Sequence, residues 1–476
     1  MNKIRFILTF FSILFLVQGL NAQKQYRELM WGISDANYGI FNDNNPYATK
    51  DMLNHIRRER FDLILPRIMR EKKIDMWIHV IRPWSWGGTD PLRYEFGSKS
   101  GVFIFTDCGD DRIERVVFEG EVEDPGAYDL VCGRSKFINQ ENFEIMDYVT
   151  ENPDKVPESG LGYRFMGLGE FVAERNPKRI AVNYIESLSF PEGSETFTMA
   201  LTDGISYTDY IQLTKALGDK YAKRMVSAEY LILDYLSRRV ASEVVLYGIC
   251  GYLRPRRPRA GKYDKIVPGV TTLSEIGPSS VLDKDGRRRN SGNYVIQRGD
   301  LITGIGIFSH LGGAYVLRKG ETDLPPYIRK FWEDRKKIRG ILLKNIKPGL
   351  TGRETLELLI CKLEEAGFVY HDRQIYDRNA DPTKTQVALD MHAEGKGILA
   401  PRISHLGPKW HRDIKLRLFH CFAIEYFVFM AVPEWAKANN STGQVLSAGF
   451  HDGAVVTGRG MEIPYPERWR KIQIIQ

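Results

Sequence analysis

The chain has 476 residues, 43% of them hydrophobic, 12% aromatic and 27% charged, with 67 lysines and arginines against 60 aspartates and glutamates. That composition excludes a disordered or collagen-like chain and leaves room for one to three domains, with two as the central expectation. A net charge of +7 at this length gives no electrostatic footprint for a nucleic-acid binder.

Lys3 and Arg5 precede an apolar run from Phe6 to Val17, broken only by Thr9 and Ser12 and followed by Gly19-Leu-Asn-Ala22. Residues 1–22 read as a secretory signal peptide, with a membrane anchor as the alternative. Losing Lys3 and Arg5 with that segment would lower the net charge from +7 to +5. The expected location is periplasmic or secreted, with no membrane span once the signal is removed. Residues 23–50 form an N-terminal extension.

From 51 to 228 the pattern alternates helical and strand-like runs. Ile56 to Glu71 has helical spacing, and Met76 to Val80 reads as a strand. Val102-Phe-Ile-Phe105, Arg115-Val-Val-Phe118 and Ile180-Ala-Val-Asn183 read as further strands. Helix and strand in alternation predict an α/β domain with a central sheet. Leucines and valines from Tyr230 to Tyr247 recur at helical spacing, which predicts a single interdomain helix. The basic loops Leu253-Arg-Pro-Arg-Arg-Pro-Arg-Ala260 and Arg287-Arg-Arg289 are read as solvated surface, not polyanion contacts.

The second domain, 229–476, begins with that helix. Tyr327 to Asn345 is a long amphipathic helix, and Lys347-Pro-Gly-Leu-Thr-Gly352 turns into another, Glu354 to Ala366. Strands are expected at Lys415 to Leu418, Cys421 to Val432 and Gly453 to Thr457. Segregated strands and helices predict an α+β domain. The five cysteines form neither a disulfide framework nor a metal knuckle. Cys108 and Cys132 could pair in an oxidising compartment, whereas Cys361 and Cys421 read as buried small hydrophobes.

Several stretches occur in the order known from one superfamily: Arg298-Gly-Asp-Leu301, Gly320-Glu-Thr-Asp323, Lys347-Pro-Gly-Leu-Thr-Gly352, Leu389-Asp-Met-His392, Ala423-Ile-Glu425, Val432-Pro-Glu-Trp435 and His451-Asp-Gly-Ala-Val-Val-Thr457. With them the chain resembles the Xaa-Pro aminopeptidase (aminopeptidase P), prolidase and creatinase superfamily, in particular a secreted branch of it. The resemblance implies a creatinase-like N-terminal α/β domain, a pita-bread α+β C-terminal domain and a possible homodimer. It also implies two divalent ions held by two Asp, one His and two Glu, which activate a shared water while polarising the scissile carbonyl.

Four of those five positions depart from the pattern. The first Asp corresponds to Ile305, and the second falls near Val316 or Ser309, with His310 the one strong ligand type close by. Thr385 stands where the ligand His is expected, and His451 where the final Glu is expected. Glu425 is the direct match. One carboxylate and one imidazole do not hold a dinuclear centre, so no cofactor is expected and the two-metal peptidase activity is read as absent.

Three functional readings follow from this. The first is a degenerate family member that keeps the fold and a pocket for a peptide or small molecule. The second is an active, metal-free hydrolase of peptides or small amides, resembling creatinase, with His392 as acid/base and Glu425 as its carboxylate partner. The third is a true Xaa-Pro aminopeptidase using a rearranged site with one Mn, Zn, Co or Fe ion, for which Glu425, His451 and His310 are the weak candidates. Asp452 is adjacent to His451 and should point to the opposite face of its strand. A carboxylate within the apolar run around Glu425 needs a partner, since burying it alone costs about several kcal/mol. Arg402, His405 and His411 are read as solvated loop residues.

Overall fold

Thr49 opens the first helix by accepting a hydrogen bond from the Met52 N–H at 3.2 Å. The structure, a computed structural model, describes residues 49–82, 90, 92–98, 100–110, 112–132, 162–186, 204–253, 263–277, 279–303, 313–393, 400–407, 409–435, 445–464 and 472–476. The expected signal peptide, Ile305, Ser309 and His310 lie outside these residues. Described residues up to Gly251 form one unit and those from Tyr252 onward a second.

In the first unit, α1 (Lys50–Leu63) and α2 (Leu65–Glu71) replace the single helix expected there. Pro66, near the start of α2, supplies no N–H to continue α1. The chain then runs through β1 (Met76–Ile81), α3 (Leu92–Phe96), β2 (Gly101–Asp107), β3 (Ile113–Phe118), β4 (Leu130–Cys132), α4 (Leu168–Arg175), β5 (Ile180–Val182), α5 (Tyr207–Ala222) and β6 (Met225–Ser227). The strands make a mixed sheet in the order β4-β3-β2-β1-β5-β6, and the strands expected at 76, 102, 115 and 180 are all in it. Met76, Ile78 and Val80 pack with α4 and α5 residues such as Leu168, Val172, Leu213 and Leu217. Trp77 and His79 point to the other face, where Trp77 meets Phe96, Phe105 and Tyr235 edge-on or tilted.

The helix expected across 230–247 is two helices, α6 (Glu229–Ser237) and α7 (Ala241–Leu253). Arg238 between them is extended, at φ −82° and ψ 154°. The break is bound from below by Arg60, which donates to the Tyr235 and Arg238 carbonyls at 2.6 and 2.7 Å. The same guanidinium pairs with Glu95 and Glu243 at 2.7 and 2.8 Å. Helical periodicity alone does not register a buried cation that consumes two carbonyls at a helix end.

The second unit contains β7 (Ser280–Leu282), β8 (Arg288–Arg289), β9 (Leu301–Thr303), β10 (Ala314–Val316), α8 (Pro326–Asn345), α9 (Gly352–Glu365), β11 (Val369–Tyr370), β12 (Gln386–Leu389), β13 (Met391–Ala393), β14 (Arg402–Ile403), α10 (Lys409–Asp413), β15 (Cys421–Ala431), β16 (Val445–Thr457), β17 (Gly460–Glu462) and β18 (Gln473–Ile475). Among the described residues a five-stranded sheet runs β18-β10-β9-β7-β8. A seven-stranded sheet runs β11-β12-β15-β13-β14, with β16 on the free edge of β15 and β17 beyond it. α9 starts with a capping box between Thr351 and Glu354. The strand expected at 415–418 is absent; an isolated bridge from Lys415 to Thr351 is all that forms there.

Alternate residues of β15 sort to two faces. Phe422, Ile424, Tyr426, Val428 and Met430 share a core with Ile338 and Leu342 of α8 and Leu359 and Leu363 of α9. Each such side chain contributes about 1.5–3 kcal/mol on burial. Two cysteine expectations change: Cys361 is exposed on α9, and Cys108 is not bridged to Cys132, while Cys421 is buried as expected. Among the described residues no helix is long and apolar enough to cross a membrane.

Candidate functional site

The face of the seven-stranded sheet turned away from α8 and α9 collects the polar residues. β12 pairs Leu389 with Tyr426, and β13 pairs His392 with Ala423, so both keep one register against β15. Asp390, between them, therefore lies across from Glu425, and its N–H donates to the Glu425 carbonyl at 3.0 Å. On the other edge of β15, Glu425 pairs with His451 of β16. Strand parity puts Asp390, His392, Glu425 and His451 on one face. Asp452 has the opposite parity and pairs with Arg339 of α8 at 2.8 Å, as alternation requires.

Glu425 stands between two imidazoles. Its Oε2 lies 3.9 Å from His392 Nε2 and its Oε1 3.7 Å from His451 Nε2. His392 Nδ1 sits 2.9 Å from the Ala393 carbonyl, which can only accept, so Nδ1 carries a proton and Nε2 is the nitrogen turned toward Glu425. Burial first, and then the charge of Asp390, push the Glu425 carboxyl up to about 7, with Arg402 opposing.

Asp390 is occupied otherwise. Arg402 of β14, the cross-strand partner of His392, forks onto it with two hydrogen bonds of 2.9 Å. This bidentate pair is buried on both sides. Behind it His411 of α10 is 2% exposed, and neither ring nitrogen has a hydrogen-bond partner. Burial, then the charges of Arg402 and His392, bring its pKa down to about 4, so it is neutral at pH 7. α10 is fixed to α9 by the Arg353–Asp413 pair at 2.6 Å.

The residues singled out in the sequence thus divide. His392, Glu425 and His451 come together, while His310 lies outside the described residues. Arg402 and His411, expected as solvated loop residues, are buried in a strand and a short helix. His405 is half-buried, 3.5 Å from Asp372. Asp390 was legible from strand alternation, two residues before His392. Arg402 and His411 had no local signal, because their burial depends on β14 and α10 docking against distant strands.

The dinuclear set implied by the family resemblance does not fit these residues. Thr385 faces α8 and donates to Asp334 at 2.6 Å, on the side opposite Glu425. Val316 is fully buried in an apolar cluster. Among the described residues no group of three or more His, Cys, Asp or Glu side chains is arranged to hold a metal ion.

No family profile matches the sequence, and no curated protein does. Solved structures similar to it include an X-Pro aminopeptidase from Thermotoga maritima, at 12% identity and a TM-score of 0.42, covering 86% of this chain and 100% of that one. An Xaa-Pro dipeptidase from Bacillus anthracis is 13% identical with a TM-score of 0.39, covering 88% and 99%. A prolidase from Pyrococcus furiosus is 14% identical with a TM-score of 0.35, covering 85% and 100%.

Proposed function

We propose that this chain is a protein of the Xaa-Pro aminopeptidase, prolidase and creatinase superfamily, with a pita-bread second domain, that does not carry out two-metal peptide hydrolysis. Its remaining site is a metal-independent proton-transfer cleft for a peptide or small amide. The observation that carries this reading is Glu425 set between His392 and His451 on one sheet face, with the neighbouring acid, Asp390, tied up by Arg402. The order of the sequence motifs supports the family; export through residues 1–22 and a homodimer belong to the same proposal.

In the catalytic form of this reading, the ionised form of Glu425, whose carboxyl is pushed up to about 7, takes a proton from water as that water's oxygen adds to an amide carbonyl carbon. His392 relays that proton to the amide nitrogen as the C–N bond breaks, so the products are a carboxylic acid and an amine, and Glu425 is again ionised. A second reading, ligand binding without turnover, is favoured by the two His–Glu separations, which are longer than direct hydrogen bonds.

The deciding experiment is metal analysis of the purified protein together with assays on Xaa-Pro peptides and small amides, with and without chelator. Chelator-resistant turnover abolished by Glu425→Gln and by His392→Ala is the expected result. Stoichiometric metal with metal-dependent release of the first residue would overturn the proposal. Binding of an amide without turnover would leave the second reading in place.

A further inference from the structure

His411 is the polar group of this site that no protein partner explains. It is 2% exposed, and neither of its nitrogens is bonded. Buried polar side chains rarely stay that way, because an unmade hydrogen bond in a low-dielectric interior costs free energy that packing does not return. The ring is not misplaced at random. α10, which carries it, packs against β14, whose Arg402 pairs with His392 of β13. It therefore borders the polar face that carries Glu425.

The charges around it indicate what it can receive. Asp390 and Arg402 neutralise each other through the forked pair. Burial keeps His411 itself uncharged, and Glu425 is about half protonated near pH 7. A carboxylate end placed there would meet an Arg402 already neutralised by Asp390 and the acid Glu425, and would lose water with only the imidazole of His392 to offset it. A neutral imidazole offers one donor and one acceptor side by side, which matches the C=O and N–H of an amide.

We propose that His411 is a specificity-determining residue of the cleft, binding an uncharged amide group of the ligand at the inner end of the site beside His392 and Arg402. This inference rests on the cleft being a ligand site, as proposed above, and adds the class of group received at one end of it.

The probes are N-acetylglycinamide and N-acetylglycine, which differ in one terminal group, titrated into the full-length protein with histidine side chains followed by NMR. The amide should shift the His411 and His392 signals and bind at least tenfold more tightly than the carboxylate. His411→Phe, which keeps a buried ring and removes both nitrogens, should weaken the amide at least tenfold and erase the discrimination. His411→Gln, which retains a donor and an acceptor, should recover part of it. Equal binding of both probes, or amide binding that leaves His411 unmoved and survives His411→Phe, overturns the assignment while the cleft stands. Binding of neither probe to the folded protein overturns both the assignment and the reading of the cleft.

Discussion

Asp390 and Glu425 face each other across neighbouring strands, joined by a backbone hydrogen bond of 3.0 Å, and one of them is clamped by a guanidinium while the other is not. Glu425, buried beside the charge of Asp390 and without a guanidinium of its own, has its proton affinity raised.

Asp390→Asn should lower the Glu425 pKa below its value of about 7. The substitution removes a negative neighbour and leaves Arg402 unopposed, and both changes favour the ionised form of Glu425. Any pH–rate limb near 7 should move in the acid direction with it. Carbon-13 NMR of the Glu425 carboxyl is the direct check, and an unmoved or raised pKa would contradict this account. The unpaired Arg402 should also cost about 3–5 kcal/mol of stability.

Glu425→Gln should stabilise the protein at alkaline pH. The folded-state pKa of about 7 lies above the ordinary glutamate value of 4.5, so the folded form holds its proton more tightly than the unfolded one. Stability from this group is present in full below pH 4.5 and is lost as pH rises through 7. The variant should therefore match the parent at pH 4 and exceed it by roughly 1–3 kcal/mol at pH 8.5, toward the lower end because Glu425 keeps some contact with solvent. Urea unfolding at the two pH values measures this; a gain larger at pH 4 would refute it.

Thr385→His should fail to create a metal site. Thr385 points toward Asp334 of α8, and Glu425 occupies the other face of the sheet. Titration with Mn²⁺ and Zn²⁺ by calorimetry should give no stoichiometric binding involving Glu425. An ion whose binding disappears with Glu425→Gln in that background would show that the strand can present position 385 to the site.

Arg60→Met should destabilise the first unit by about 3–5 kcal/mol, since it leaves Glu95 and Glu243 buried without their cation. Replacing all three together with apolar residues of similar volume should recover most of the loss. A cost below about 1 kcal/mol for the single substitution in denaturant unfolding would mean that the carboxylates find other partners.

Strands with clear alternation or dense β-branched and aromatic content, such as β1, β2 and β15, were legible in the sequence because their signal is local. The break at Arg238 and the burial of Arg402 and His411 were not, because each is decided by side chains more than one element away: Arg60 for the first, and Asp390 with the docking of α10 for the others. At the site, His392, Glu425 and His451 could be named from their motifs. Their common face follows only from the pairing of three strands, which no single stretch encodes.

That pairing has a further consequence for β15 and β16, which run together over eleven residue pairs from Cys421–Val455 to Ala431–Val445. One residue inserted into β16 between the hairpin connection and His451 would rotate the strand by half a period. His451 would then press into the helix-facing core or drag the pairing out of step, and Asp452 would lose Arg339. A substitution at the site leaves the strand pairing in step, but the count of residues along this hairpin cannot drift, so length is a separately constrained property of this segment.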